Sequence, residues 1–371
     1  MILDFLKKKN ETKAPKGQYV TIRPMNYAAA QESRLTLSWT DTKLTADQIV
    51  KKYFTKLVAR SCEQCMNNPY AIRFLSLLEN NVIGENGIML QAQAKDNNGK
   101  LDTAANEAQE KAWKEWQKAK NCDVTGKNNF IALQKLMIKT IAREGEVLVR
   151  IVKGRSAGNW GFSLQLIDPR RLDVNLNKNL DNGHFIRFGI EFNEYCKPLV
   201  YHIKAHDEDI YGQTISGGKY YEVPAEEIIH GFIPQFIEQK RGLPWFSGVL
   251  MRMNMLNGFE DAAVDHARAG ACQMGFITNN DLEAYEDEDD DPGEIDLEAS
   301  PAKFSVLPSG YDIKKFDPAY PNGEFDTFNK AVLRSIAVGL NASYSDISGD
   351  LSSVNFSSLR QSFSTFTFNS K

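Results

Sequence analysis

Cys62 and Cys65 are the first residues whose spacing could do chemistry. Two cysteines separated by two residues can form a redox pair or half of a zinc site. A zinc site needs a second ligand pair at suitable spacing, and none appears in the chain. The pair falls inside a helical pattern, which favours two small side chains packing against their neighbours. His202 and His206 straddle the end of a strand pattern, where both rings do not turn toward one ion as they would on a helix. His230 follows Ile228-Ile229 and reads as a core or strand-edge histidine. His266 sits on a long helix with Ala262 and Gly270 one turn to either side, so neither offers it a partner. Glu144 and Glu146 are candidate paired carboxylates whose relation the spacing alone does not decide.

Phosphate chemistry fares no better. A phosphate-cradling loop needs Gly, four residues, then Gly-Lys-Ser/Thr, so that backbone amides can wrap the anion. The nearest approach is Gly217-Gly218-Lys219, but the required first glycine is Gln213 and Tyr220 replaces the magnesium-binding hydroxyl. A dinucleotide-binding Gly-x-Gly-x-x-Gly is absent. Residues 281–300 carry a dense acidic run, Asp281 to Glu294, without the alternation and glycine placement of a calcium loop. It reads as a self-repelling, solvated block. No constellation joins a nucleophile, a base and an orienting group. The expectation is a protein with no catalytic residue, no cofactor and no metal.

The bulk composition narrows the class further. The chain has 371 residues, 42% hydrophobic and 25% charged, enough to bury one large core or two to three smaller ones. Its net charge of −4 lacks the basic excess that tight nucleic-acid binding uses to displace counterions. DNA that merely slides past needs only weak contact. Five scattered cysteines do not make a disulfide framework and point to a reducing, cytoplasmic setting. The start, Met1 to Lys9, is too short and charged for a signal peptide. No run approaches the length of a membrane-spanning helix, so no membrane is expected.

Several elements are legible. Residues 1–19 read as a mobile arm rich in Lys, Asn and Pro. Thr45 or Asp47 caps a helix that Asn67-Asn68-Pro69 interrupts, and a second helix starts at the proline. Gly84 and Gly87 end it, and Ile88 to Gln91 looks like a strand. Asn106 to Lys118 is a helix with Trp113 and Trp116 on one buried face. Phe130 to Arg143 is a strongly periodic helix with Gly145 as its C-cap. The period then changes to that of strands at Glu146–Val152, Phe162–Ile167, Phe185–Phe192, Leu199–Ile203, Tyr220–Val223 and Ile228–Phe232, with a turn near Asn193-Glu194. A helical third followed by a β-rich middle predicts an α+β fold. A long helix from Phe246 places Phe246, Val249, Leu250, Met253, Leu256, Ala263 and Ala267 on one stripe. A further helix, Phe325 to Leu340, aligns Phe328, Val332, Ile336 and Leu340. Asn341 to Ser353 reads as a loop rich in Ser, Gly and Asp.

These segments, in this order, resemble the portal proteins of lambda-like phages. Ala59-Arg60-Ser61, Asn67-Asn68-Pro69-Tyr70-Ala71 and Asn81-Val82-Ile83-Gly84 resemble the family's N-terminal helical signature. Trp113, Trp116, Cys122-Asp123 and Gly126 follow, then Arg143-Glu144-Gly145-Glu146-Val147. Leu164 to Pro169 with Arg171-Leu172 is similar to a central strand and turn. Val223-Pro224-Ala225 and Ile228-Ile229-His230 lead into Arg241-Gly242-Leu243-Pro244-Trp245. The last block is Ile336 to Leu340, Tyr344, Ser348-Gly349-Asp350 and Val354 to Ser358. Each motif alone is weak; their order over residues 20–360 carries the resemblance.

The resemblance implies a mixed α/β wing over residues 20–245 and a first stem helix over 246–271. It implies a small clip with the acidic loop over 272–324 and a second stem helix over 325–340. A DNA-channel loop and the start of the next helix would occupy 341–360, with Tyr344, Ser345, Asp346, Ser348, Asp350, Ser352, Ser353 and Asn355 facing DNA. Family members continue past Ser357-Ser358 into a long helix and crown, so a chain ending at Lys371 after an atypical tail, 361–371, reads as a truncated copy. The implied role is a virion subunit, assembled in the bacterial host cytoplasm, that forms a homo-oligomeric ring of twelve copies. Its implied partners are the terminase large subunit, a head–tail adaptor, a capsid or scaffold protein, and double-stranded DNA bound without sequence preference. The competing readings are another head–tail connector or minor capsid protein, a non-functional prophage remnant, and a soluble hydrolase, which would need a pocket of convergent titratable groups.

Overall fold

Thr45 closes a capping box at the start of the first helix. Its hydroxyl accepts from the Gln48 amide at 3.3 Å, and the Gln48 side chain accepts from the Thr45 amide at 2.9 Å. The computed structural model describes residues 34, 37–38, 43–205, 219–271, 275–279, 311–315 and 325–352. The chain divides into two compact units, residues 1–44 and 45–371, and every described helix and strand belongs to the second. The arm at 1–19, the acidic run at 281–300, most of 272–324, His206, Gly217-Gly218, Ser353, Asn355 and the tail at 361–371 lie outside the described residues.

Helix α1 (Ala46–Asn67) ends at Asn68, whose side chain accepts from the amides of Tyr70 and Ala71 and so caps α2 (Pro69–Leu78). Pro69 takes the first helical position, where its missing N–H costs nothing. A π-turn, Glu79–Ile83, carries α2 to Gly84, which adopts φ 72°. Ile88 to Gln91 is not a strand. Its apolar side chains are exposed, and the Ile88 backbone bonds the Gln134 side chain in place of a neighbouring strand. A short extended run without a partner strand has no ladder to stabilise it.

Asp102 caps α3 (Thr103–Trp116), the single turn α4 (Ala119–Cys122) follows, and Asn129 caps α5 (Phe130–Glu144). The Trp113 and Trp116 rings stack at 4.7 Å, and Phe162 stacks on Trp116 at 4.8 Å. Gly145 ends α5 at φ 96°, as the sequence predicts.

The strands are β1 (Glu146–Lys153), β2 (Phe162–Ile167), β3 (Lys178–Asn179), β4 (Phe185–Arg187), β5 (Ile190–Phe192), β6 (Pro198–Lys204), β7 (Tyr220–Pro224) and β8 (Ile228–Phe232). They form two antiparallel sheets, ordered β2-β1-β8 and β3-β4-β5-β6-β7. The single strand expected over Phe185–Phe192 is in fact a tight hairpin. Phe188 and Gly189 both take positive φ, 55° and 80°, the backbone of a primed two-residue turn. Asn177 accepts from the Phe188 amide, and Phe188 is buried against α1, so tertiary contacts stabilise a conformation that phenylalanine disfavours alone.

After Pro244, a 3₁₀ turn (Trp245–Gly248) precedes α6 (Leu250–Ala271), so the long helix starts four residues later than the apolar stripe suggests. Phe246, Val249, Leu250, Met253, Leu256 and Ala263 are buried, whereas Ala267 is exposed. Strands β9 (Gly275–Asn279) and β10 (Tyr311–Lys315) pair antiparallel. Helix α7 (Phe325–Gly339) buries Leu333 and Ile336, and Phe328 stays half-exposed beside Phe259. The segment expected as a plain loop contains a further short helix, α8 (Tyr344–Ser348).

Candidate functional site

Residues 341–352 are the described part of the expected channel segment, and local hydrogen bonds build it. Ser343 caps α8: its hydroxyl accepts from the Asp346 amide at 3.1 Å and donates to the Asp346 carboxylate at 2.6 Å. Ser348 donates to the Tyr344 carbonyl and accepts from the Asp350 amide. Gly349 ends the helix at φ 71°. The Tyr344 hydroxyl donates to Asp350 Oδ2 at 3.2 Å, and Ser352 donates to Asp350 Oδ1 through both its amide and its hydroxyl. The bonds from Ser352 lead the set that holds the Asp350 carboxyl below its ordinary value. Ser345 lies 3.0 Å from the Ser343 hydroxyl.

The segment is anchored to the helices around it. Ile347 is buried in the cluster formed by α2, α6 and α7. Arg73 on α2 donates to the Asp346 carbonyl at 3.0 Å. Lys330 lies 2.7 Å from Asp326 and 3.9 Å from Asp350, and the Arg334 guanidinium stands over the Tyr344 ring. The structure thus brings Tyr344, Ser345, Asp346, Ser348, Asp350 and Ser352 into one capped turn, all but Ser352 half-buried.

A second polar cluster was invisible as a unit in the sequence. Glu146, the first residue of β1, and Arg241 are both fully buried and form an ion pair. Arg241 Nε donates to Glu146 Oε1 and Oε2 at 2.7 and 3.0 Å, and Nη2 donates to Glu146 and to the Pro169 carbonyl. Nη1 donates to the carbonyls of Leu172 and Phe188. All five donors of the guanidinium therefore have acceptors. The Gly242 amide donates to Glu146 at 2.9 Å, and His230 Nε2 lies 3.0 Å from the same carboxylate. Burial opposes ionisation of Glu146, but Arg241 and His230 outweigh it and hold the carboxyl down at about 2. This cluster joins β1, β8, the turn at Pro169–Leu172, the β4–β5 turn and the entry to α6. It cross-links elements and presents no open face to a substrate.

The remaining motifs also prove to be joints. Asn68 donates to Asn257 of α6 at 2.8 Å, and Glu260 of α6 accepts from Tyr70 and Asn329, tying α2, α6 and α7 together. Asp123 gathers the amides of Thr125, Lys127 and Asn128 around Gly126. Asp168 caps the 3₁₀ turn Pro169–Arg171 and pairs with Arg170.

The candidates for chemistry fall apart in space. Burial pushes the Cys65 thiol up to about 12 and raises that of Cys62, so neither is poised as a thiolate. Among the described residues no three His, Cys, Asp or Glu side chains are grouped to hold a metal ion. Gly154-Arg155-Ser156-Ala157-Gly158 satisfies the Gly-x-Ser-x-Gly spacing, a match that sequence reasoning missed. It lies in a 3₁₀ connection between the antiparallel strands β1 and β2, not in the strand–turn–helix elbow that exposes a nucleophile.

Fold and site together define an α+β protein whose buried polar residues tie a helical cluster to two antiparallel sheets. A family model described as phage portal protein, lambda family, matches residues 32–368, and the chain belongs to that family. It is 36% identical over 342 residues to a probable portal protein of Halomonas phage phiHAP-1, covering 90% of this chain and 66% of that one. It is 25% identical to portal protein B of Escherichia phage lambda, covering 88% of this chain and 66% of that one. The match thus spans just under two thirds of each relative's length. Chains from the neck of a native gene transfer agent particle, computed with C12 symmetry, and of an empty particle, computed with C6 symmetry, share the fold. Their TM-scores are 0.51 and 0.50 at 14% identity, covering 84% and 83% of this chain and 75% of theirs.

Proposed function

We propose that this chain is a subunit of the portal ring, the structure at the capsid vertex through which double-stranded DNA is packaged and ejected. The family match over residues 32–368 carries the reading. The mutual contacts of the family-like motifs support it, because they account for those residues as a scaffold. The relatives are named as portal proteins, which fits a structural role in the virion. About twelve copies would close a ring through heterologous contacts, each subunit's one face meeting another face of its neighbour. Partners of such a ring are the terminase large subunit, a head–tail adaptor and a capsid or scaffold protein.

In this reading residues 20–245 are the wing, 246–271 and 325–340 the stem helices, 272–324 the clip, and 341–360 the channel segment. DNA in transit must not adhere. Tyr344, Ser345, Asp346, Ser348, Asp350, Ser352, Ser353 and Asn355 offer no cation to phosphate, which keeps the counterion-release contribution small. The nearby cations are engaged: Arg73 on a carbonyl, Lys330 between two carboxylates, Arg334 on the Tyr344 ring.

Native mass spectrometry with negative-stain microscopy of the purified chain tests the proposal. Rings of about twelve subunits with a central hole are the expected result. A monomer without rings at micromolar concentration would sink it, and rings of another size without terminase contact would favour a connector.

A further inference from the structure

The two sheets do not close on each other along their whole length. Leu148 and Ile167, opposite one another on β1 and β2, pack against Tyr201, Ile203 and Val223 of β6 and β7. One step farther out, the pair Arg150–Gln165 on one sheet and Tyr221 on the other stand apart. They leave a cleft of about 320 Å³, floored by Ile167, Ile203 and Val223, with Arg171 entering from the turn after β2. Its volume is at the small end for ligand pockets, which suits a side chain better than a large ligand.

The charge in this cleft is only partly balanced by the residues around it. Arg150 shares a single oxygen of Glu227, at 3.2 Å from Nε and 3.0 Å from Nη2. Arg171 donates from Nε to the Lys204 carbonyl at 2.8 Å, and among the described residues no carboxylate forms an ion pair with it. Burial pulls the Arg171 guanidinium below its ordinary value, against the opposing pull of Asp168. Glu227 is shared with Arg150 and Asp168 is paired with Arg170, so the two guanidiniums leave a net positive charge in a partly desolvated wedge. A planar oxyanion would accept from the fork of a guanidinium there.

We propose that this cleft binds an acidic side chain of a protein partner, its carboxylate held by Arg150 and Arg171 and its methylene stem resting on the narrow apolar floor of Ile167, Ile203 and Val223. A carboxylate on a side chain fits the whole cleft: the anion meets the arginines and its aliphatic stem meets the floor. A nucleic-acid phosphate has no apolar body for that floor, and the chain's net charge of −4 works against it. The proposal does not rest on ring formation.

Titration calorimetry at low ionic strength tests it on the full chain. The probes are a capped Leu-Glu-Leu-Glu peptide, its Leu-Gln-Leu-Gln counterpart, inorganic phosphate and a short DNA duplex. The expected result is saturable binding of the Glu peptide, weakened about tenfold in the Gln peptide and about tenfold by Arg171→Gln, as losing one charged hydrogen-bond partner implies. If Arg171→Gln unfolds the chain, Arg150→Gln and Tyr221→Ala, at the rim, carry the same test and should each weaken the Glu peptide. Equal binding of the two peptides, no binding of either, or no effect of these variants overturns the proposal. So does binding of phosphate or duplex with the same dependence on Arg171, which would make the cleft a phosphate site.

Discussion

Gly145 and Gly242 cross backbone to backbone, each standing where the other leaves no room for a β-carbon. A Cβ on Gly145 would lie 2.5 Å from the Leu243 carbonyl carbon, and one on Gly242 would collide with the Gly145 carbonyl group. The two glycines belong to motifs about a hundred residues apart, Glu144-Gly145-Glu146 and Arg241-Gly242-Leu243. Both charged neighbours, Glu146 and Arg241, then pair directly beside the crossing.

Alanine at either glycine should therefore be poorly tolerated. Gly145→Ala adds strain at φ 96° to the collision, and each substitution is expected to cost more than about 2 kcal/mol. Urea unfolding measures this directly. An unchanged midpoint with an unchanged slope would contradict the crossing.

The Glu146–Arg241 pair should behave as a buried ion pair does when halved. Glu146→Gln leaves the guanidinium uncompensated and is expected to destabilise the chain by about 3–5 kcal/mol. The double replacement Glu146→Leu with Arg241→Met should cost less than the sum of its singles. A strictly additive double mutant would show that the two groups are not coupled.

Stability should fall in acid, and Glu146 should account for much of the fall. Its folded value of about 2 lies below its ordinary 4.5, so the contribution is full above about pH 5 and is lost as pH drops toward 2. Asp123, Asp168 and Asp173, also held below their ordinary values, act with the same sign. Unfolding free energy measured from pH 7 to pH 3 should decline, and the decline should be shallower in Glu146→Gln. Parallel curves for the two proteins would count against this assignment.

Asn68 both caps α2 and reaches α6. Asn68→Ala should cost about 1–3 kcal/mol, the sum of a lost cap and a lost buried hydrogen bond. A double-mutant cycle with Asn257→Ala isolates the inter-helix part, expected near 1 kcal/mol. No coupling would mean that Asn68 acts on α2 alone.

The channel reading predicts a charge effect on DNA transit. In a ring-forming lambda-family relative, Lys at the positions matching Asp346 and Asp350 should slow or stall packaging. Asn at the same positions keeps hydrogen-bond acceptors for Ser343 and Ser352 and should leave packaging close to normal. Packaging unaffected by Lys, with rings still assembled, would remove these residues from the channel wall.

Much of the local structure could be read directly from residue types. Thr45, Asn68-Pro69 and Gly145 mark helix ends because a cap satisfies backbone groups within three or four residues of itself. The change from helical to alternating periodicity at Glu146 marks the β-rich middle for a similar reason: burial of one face is written into adjacent residues. Family membership was legible in the order of the motifs. The sequence left open what those motifs do, and the structure shows them meeting as joints.

The features that no local pattern fixed lie at long range. The hairpin at Phe188-Gly189 has no Asn-Gly signal, and it exists because Asn177 and a pocket beside α1 hold Phe188 in place. Strand signals did not say that six strand patterns would divide between two sheets, or that Ile88 to Gln91 would join neither. The Ser-rich stretch after α7 looked like a loop, since α8 is too short to show a period and is held by Ile347 in the helical core. Glu146 and Arg241 are ninety-five residues apart. Local pattern reports what a residue does to its own backbone and face. Which distant charge neutralises a buried carboxylate, and where two sheets gape beside a pair of arginines, is settled only when the whole chain excludes water.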